Sequence, residues 1–169
     1  MGLIPRTARG APASLSVLGR GPIPGRQTTR LIPALGPLGA AELQRRMTTA
    51  VVDAARRWAP TGDRHLEVRH AGGTRRQVSR WLGPGVRYRP QHDGDLGRRM
   101  DAALREAFAE GTRRALLIGT DCPDVTPALL DEAAAALREV DLVLGPSVDG
   151  GYWLVGMTRP LEVFDDIAW

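Results

Sequence analysis

Hydrophobic and polar positions follow two periods along this chain, and segments with each period alternate. Short apolar or alternating runs of strand length lie at residues 13–18, 65–70, 86–89, 114–118, 141–146 and 152–157. The segments between them have helical character, at residues 38–58, 74–82, 96–108 and 126–139. Strand and helix alternate, which predicts an α/β fold with right-handed crossovers, a mostly parallel sheet and helices on both faces.

Two predicted helices have clear starting signals. Asp95 precedes the third helix as a candidate N-cap, and Thr126-Pro127 supplies a cap and a first-turn proline for the fourth. With 169 residues, 43% of them hydrophobic, the chain has the length of one domain. We therefore expect a loose leader at residues 1–12 and a single α/β domain at residues 13–169.

Composition excludes several classes of function. All 23 basic residues are arginine and the net charge is only +4, so the high isoelectric point indicates compositional bias. With few aromatic residues and no repeated basic-aromatic stripe, we expect no nucleic-acid partner. No apolar run reaches the ~20 residues of a membrane span. Cys122 is the single cysteine, so a cytoplasmic protein is the expectation.

Acidic residues follow the apolar run at residues 114–118. Asp121 and Asp124 flank Cys122-Pro123 directly after this predicted strand. Ligands of open α/β sheets bind at the carboxyl ends of the strands, and paired carboxylates suit a hard cation such as Mg²⁺ or Mn²⁺. An aspartate after a strand also serves as a turn residue or helix cap, which explains Asp124 equally well. Asp121 is the stronger candidate metal ligand.

The next strand ends in a second acidic motif, Asp149-Gly150-Gly151. These residues form a common hairpin-turn sequence. Alternatively, Asp149 faces the same crevice as Asp121, and the two glycines allow a substrate to approach the backbone closely.

The loop after the first strand, residues 19–30, has glycines, threonines and arginines but no acid. Backbone N–H groups and guanidinium forks commonly hold phosphate oxygens, so the loop suits a diphosphate. It lacks the Gly-Lys-Ser/Thr of a Walker loop, and a solvated basic loop is the alternative. The candidate nucleotide-binding residues here are Arg20, Gly25, Arg26, Thr29 and Arg30.

Four ordered motifs together resemble one bacterial family. They are Pro-Gly-Arg-Gln-Thr-Thr-Arg-Leu at 24–31, Gly-Asp-Leu-Gly-Arg-Arg-Met at 94–100, Gly-Thr-Asp-Cys-Pro-Asp at 119–124 and Asp-Gly-Gly-Tyr-Trp-Leu-Val-Gly at 149–156. The family is the GT-A-fold glycosyltransferase-like group, also labelled radical-SAM/selenodomain-associated transferase. It lies within the nucleotide-diphospho-sugar transferase superfamily, and the resemblance covers about residues 13–169.

The resemblance implies a Rossmann-like GT-A fold and a nucleotide in the crevice, with its phosphates near Arg26 and Arg30. It implies a divalent cation, Mg²⁺ or Mn²⁺, at Asp121, and it matches Asp149 to the family's Asp-Gly-Gly motif. Asp95 would lie near the nucleoside or the acceptor, with a helix cap as the alternative. Asp121 and Asp149 are thus the candidate catalytic residues, Asp121 and Asp124 the candidate metal ligands, and Gly150 and Gly151 candidate substrate contacts.

Two departures from the family pattern keep alternatives open. Thr28 stands where the family motif has lysine, and the chain ends at Trp169 where related proteins continue, so we expect a partial sequence. The expected function is a metal-dependent transferase, glycosyltransferase-like, which takes a nucleotide-activated small-molecule donor and an unidentified acceptor. The alternatives are a nucleotidyltransferase that releases pyrophosphate and a truncated or degenerate nucleotide-binding module without turnover.

Overall fold

A computed structural model describes residues 13–21, 29–59, 64–165 and 167. The predicted leader at residues 1–12 lies outside these ranges, and so do residues 22–28 of the predicted loop at residues 19–30. Along the chain the elements are β1 (Ala13–Arg20), α1 (Ile32–Trp58), β2 (Arg64–Ala71), α2 (Arg75–Leu82), β3 (Arg87–Pro90), α3 (Leu96–Ala109), β4 (Arg114–Ile118), α4 (Pro127–Ala136), β5 (Leu142–Pro146) and β6 (Tyr152–Met157), with a 3-10 turn (Thr29–Leu31) before α1.

The strands form one six-stranded sheet in the order β3-β2-β1-β4-β6-β5. The β1–β2, β1–β4 and β2–β3 pairs are parallel, whereas β6 runs antiparallel to both β4 and β5. A short turn joins β5 to β6, and such a connection permits only an antiparallel pair. This confirms the prediction of an α/β fold with a mostly parallel sheet.

Apolar side chains cover both faces of the sheet. On one face, Leu15 and Val17 of β1 belong to a core that includes Val51 of α1, Val78 of α2 and Leu130 of α4. On the other face, α3 contributes the main helical side chains to a second core, with Met100 and Leu104 near Leu117 and Met157. The predicted placement of helices on both faces is confirmed.

The helix ends match their sequence signals. Oδ1 of Asp95 accepts a hydrogen bond of 2.8 Å from the backbone N–H of Arg98 at the start of α3. Thr126 caps α4 in the same way through the N–H of Leu129, at 3.3 Å. Both predicted caps are confirmed, although α4 ends at Ala136, before the predicted residue 139.

The start of α1 differs from the prediction. Helical backbone begins at Ile32 rather than at residue 38, and Gly36 interrupts it with φ 66° and ψ 168°. Gly36-Pro37 therefore breaks the helix where the sequence suggested a beginning, because glycine adopts positive φ readily and proline restricts the backbone around it. Among the described helices, none combines the length and apolar character that a membrane span requires.

Candidate functional site at the carboxyl edge of the sheet

The candidate residues gather at one edge of the sheet. All strands except β6 point the same way, so Arg20 at the end of β1, Asp121 after β4 and Asp149 after β5 lie at the shared carboxyl edge. From β1 the chain proceeds outward through β2 and β3 on one side and places β4 on the other. The crevice outside the β1 and β4 ends is therefore a topological switch point, the usual ligand position in such sheets.

The two strand ends at this crevice are packed closely together. A Cβ added at Gly19 would lie 3.2 Å from Cγ2 of Thr120, so glycine permits the approach. Thr120 is only 4% exposed, and its Oγ1 accepts a hydrogen bond of 3.0 Å from Nε2 of Gln44 on α1. Thr120, the residue before Asp121, is thus held in place by α1, while Asp121 itself is exposed.

Asp124 is also exposed and lies within a turn that is closed by the hydrogen bond from the N–H of Val125 to the carbonyl of Cys122, at 3.3 Å. Because Thr126 caps α4, Asp124 does not have the helix-cap role that the sequence left open. The two carboxylates that the sequence predicts as metal ligands, Asp121 and Asp124, are therefore at the same edge of the sheet.

The donor set at this edge fits a hard cation that takes its remaining ligands from water and substrate. Within the described ranges, no group of three or more His, Cys, Asp or Glu side chains could hold a metal ion. Mg²⁺ is commonly bound by one or two carboxylates together with substrate phosphates and water. The two exposed carboxylates of Asp121 and Asp124 fit that pattern and do not form a closed protein cage.

Asp149 lies in the hairpin between β5 and β6, as the turn alternative predicted. The N–H of Ser147 donates to the carbonyl of Gly151 at 2.9 Å, and Gly150 adopts a φ of 85°. Oδ1 of Asp149 accepts from the N–H of Gly151 at 3.1 Å. Hydrogen bonds from the Ser147 side chain and the Gly151 backbone lower the pKa of Asp149. The turn thus holds an ionised carboxylate between β5 and β6, and β6 is the strand next to β4.

The phosphate-binding candidates are partly described. Arg20 and Arg30 are exposed on either side of residues 22–28. Gly25 and Arg26 lie outside the described residues, and only the backbone of Thr29 is described, in the 3-10 turn. Gly150 and Gly151 occupy the β5–β6 turn, and Asp95 caps α3, the alternative role that the sequence allowed.

Sequence reasoning missed Gln91, which connects three segments at the edge. Its Nε2 donates to the carbonyls of Gly19, at 2.9 Å, and Arg69, at 3.0 Å. Its Oε1 accepts from Nη1 of Arg99 at 3.3 Å, and Nε of Arg99 donates to the carbonyl of Gly94 at 2.8 Å. The only signal in the sequence is that Gln91 follows a predicted strand closely.

His70 is a second residue to which the sequence assigned no role. It is 6% exposed and stands opposite Gly19 in the β1–β2 register. Within the part of the chain that the structure describes, neither ring nitrogen has a hydrogen-bond partner of normal geometry. Burial lowers the pKa of His70, against a smaller opposing effect of the Gly72 backbone. The imidazole is therefore neutral near pH 7.

Solved structures share this fold. A Desulfovibrio desulfuricans G20 protein, provisionally described as a nucleotide-diphospho-sugar transferase, is 31% identical, with a TM-score of 0.83 and coverage of 93% of this chain and 69% of that chain. A Leptospira borgpetersenii cytidylyltransferase is 11% identical, with a TM-score of 0.54 and coverage of 88% and 61%. Rv0371c from Mycobacterium tuberculosis H37Rv is 21% identical, with a TM-score of 0.54 and coverage of 88% and 72%.

The last two similarities show the fold alone, and the comparison with curated proteins found no match. The family DUF2064, described as "Uncharacterized protein conserved in bacteria", matches residues 54–169. That range includes β2 to β6 and the segments that carry Asp121, Asp124 and Asp149. Since the match covers well over half of the chain, this protein belongs to the DUF2064 family.

Proposed function

We propose that this protein is a transferase that takes a nucleotide-diphospho-sugar as donor. One observation carries the proposal: the sheet topology places Arg20, Asp121 and Asp149 at a single carboxyl edge, around the switch point between β1 and β4. The description of the 31% identical Desulfovibrio protein supports the same donor class.

The donor's diphosphate would bind at the β1 side of the crevice. Arg20 and Arg30 are exposed there, and guanidinium forks suit phosphate oxygens in both charge and geometry. The loop between them supplies Gly25 and Arg26, and Thr29 stands where the loop enters the 3-10 turn. This basic loop stabilises the negative charge that the departing nucleoside diphosphate carries.

Asp121 and Asp124 would hold a divalent cation, Mg²⁺ or Mn²⁺, against the same diphosphate. Such a cation, when bound, supplies Lewis-acid neutralisation of the leaving group. The Gln44–Thr120 hydrogen bond fixes the backbone from which Asp121 projects, so this carboxylate needs little reorganisation to bind.

The negative charge of Asp149 suits a role in positioning the acceptor substrate. Because its pKa is lowered, the carboxylate stays ionised at neutral pH and has weak affinity for a proton. It therefore serves better as a hydrogen-bond acceptor that orients the acceptor hydroxyl than as a strong general base. The acceptor oxygen forms a bond to the sugar carbon, and the bond from that carbon to the diphosphate oxygen breaks. The nucleoside diphosphate leaves, and the proton of the acceptor hydroxyl passes to water.

A product assay tests the proposal. The protein is incubated with Mn²⁺ and UDP-, GDP-, ADP-, CDP- or TDP-linked sugars, and in parallel with the corresponding nucleoside triphosphates. Released nucleoside diphosphate and pyrophosphate are measured separately. We expect nucleoside diphosphate from one donor, lost in Asp121→Ala and kept in Glu139→Ala, a matched charge change on an exposed residue after α4. Pyrophosphate release from nucleoside triphosphates in place of this reaction would identify a nucleotidyltransferase.

A further inference from the structure

Residues 31–41 form an uninterrupted stretch without any polar side chain, Leu-Ile-Pro-Ala-Leu-Gly-Pro-Leu-Gly-Ala-Ala. Much of this stretch is on the surface. Leu38 is 75% exposed and Leu35 is 47% exposed, and Pro33, Ala34 and Pro37 are also exposed. We call residues 31–38 the apolar turn. A consecutive exposed apolar run of this kind has no role in burying a core and marks a surface that binds something.

The break in α1 explains why these leucines remain outside the core. Gly36 leaves helical geometry at φ 66°, and a Cβ added there would meet nothing within 4 Å. Burial begins at Ala40 and Ala41, one helical turn before Gln44 contacts Thr120 after the end of β4. The apolar turn therefore projects at the end of α1 that follows β1, beside the carboxyl edge.

Arginines flank the apolar turn. Arg30 precedes it, and Arg45 and Arg46 follow it on α1, all three exposed. Across residues 29–52 the only acid is Glu42, which forms ion pairs of 2.9 Å with both Arg45 and Arg46. One carboxylate between two guanidinium groups, with Arg30 besides, leaves this stretch with a net charge of +2. Residues 53–169 contain 16 arginines and 18 acids, a net charge of −2, whereas residues 1–28 contain four arginines and no acid. The net positive charge of the protein thus lies in residues 1–52, the part of the sequence that includes the exposed apolar turn.

We propose that the apolar turn, together with Arg45 and Arg46 of α1, docks on the surface of an anionic lipid bilayer. Leucine side chains at such a surface enter the boundary between headgroups and acyl chains, and arginines pair with the lipid phosphates. The contact is peripheral, and charge complementarity selects anionic over neutral lipid. Self-association through this patch is disfavoured, because a two-fold interface would bring the arginines of both copies together.

Vesicle co-sedimentation tests this proposal independently of any transferase activity. The protein is mixed at low salt with vesicles of phosphatidylcholine and phosphatidylglycerol in equal amounts, or of phosphatidylcholine alone. We expect at least tenfold stronger binding to the anionic vesicles, weakened by 0.5 M NaCl. The double variant Leu35→Ser/Leu38→Ser should bind at least tenfold more weakly, whereas Leu129→Ser, a change at a 41% exposed leucine on α4, should bind as the parent does.

Thermal unfolding of each variant confirms that the fold is intact, and Arg45→Gln/Arg46→Gln provides a second test that leaves the leucines in place. This variant should lose most of its preference for anionic vesicles. Equal sedimentation with both vesicle types, or unchanged binding by the leucine variant, would overturn the proposal. So would a parent protein that is dimeric without lipid and becomes monomeric in the leucine variant, since the patch would then be an interface between copies.

Discussion

Nε2 of Gln44 donates a hydrogen bond to Oγ1 of Thr120 at 3.0 Å, across 76 positions of the sequence. Both side chains are buried, and Gln44 also donates to Thr48 at 3.3 Å. Through this contact α1 holds the segment that follows β4, directly before Asp121. The geometry of the candidate metal ligand therefore depends on a helix that lies far before it in the sequence.

Replacing Gln44 should weaken this arrangement. Gln44→Leu leaves the buried Thr120 hydroxyl without this donor, which costs about 1–3 kcal/mol of unfolding free energy. Chemical denaturation measures the loss. In the double variant Gln44→Leu/Thr120→Val, most of this loss of unfolding free energy should disappear, because the Thr120 hydroxyl that was left without its donor is also removed. Fully additive effects of the two changes would show that the hydrogen bond contributes nothing.

Gly21 should tolerate no side chain, although it lies in a loop that glycine richness alone would mark as flexible. A Cβ at this position would lie 2.9 Å from the carbonyl oxygen of Gly72, and the N–H of Gly21 donates to the carbonyl of Ala71. Gly21→Ala should therefore destabilise the fold by about 1–3 kcal/mol, as overpacking does.

Gly119→Ala is the matched control, because a Cβ there meets nothing within 4 Å. Its unfolding free energy should stay within about 0.5 kcal/mol of the parent value. Equal midpoints for the two variants in urea would contradict the close approach of β1 to the end of β2.

His70 should make the free energy of unfolding decrease as the pH falls below about 6.5. Burial lowers its pKa in the folded state below the ordinary 6.5, so the unfolded chain binds more protons in this range. The contribution of the neutral His70 to the free energy of unfolding is fully present above pH 6.5. It is lost as the pH falls through the folded-state pKa.

The measurement is urea unfolding of the parent and of His70→Gln at several pH values. The parent should lose more stability on acidification than the variant does. His65 and His92 are present in both proteins and cancel in the difference. Parallel curves would show that His70 titrates alike in both states.

Arg69 lies at the centre of a buried charged network on the α3 side of β2. It is 2% exposed, contacts Glu67 and lies 2.7 Å from Oε2 of Glu106. Ser16 donates to Glu67 at 2.9 Å. Arg69→Met removes the cation and leaves the carboxylate of Glu67 buried without it, which should cost about 3–5 kcal/mol.

The companion variant Glu67→Gln/Arg69→Met should recover part of that loss, because it removes a buried carboxylate whose remaining cationic partner, Arg89, is 3.9 Å away. Arg105→Met, which breaks an exposed pair with Asp101, should cost less than about 1 kcal/mol. If Arg69→Met were as mild as Arg105→Met in denaturation, the buried network would have no stabilising role.

The elements of this fold are predictable because apolar periods and caps are local properties of the sequence. Asp95 and Thr126 cap the helices they precede, and the Asp149 turn forms the hairpin that its glycines indicate. The insertion of β6 between β4 and β5 does not follow from local patterns, since strand order depends on how distant faces pack.

The supporting side chains of the site escape sequence reasoning for the same reason. Gln44 has an ordinary polar position in an amphipathic helix, and only the tertiary structure brings it to Thr120. His70 shows no metal-ligand spacing, and its burial follows from the register with Gly19. Gln91 acts through backbone carbonyls, which leave no mark in a sequence.

The most direct test of the nucleotide site is thermal unfolding with UDP, GDP, CDP, ADP or TDP, each with and without Mn²⁺. One nucleotide should raise the midpoint only when the metal is present, since ligands that bind the folded state stabilise it. Asp121→Ala should abolish the shift while unfolding at the parent temperature without ligand, because Asp121 is exposed. No shift with any nucleotide, or an undiminished shift in Asp121→Ala, would contradict a metal-dependent nucleotide site at the β1–β4 switch point.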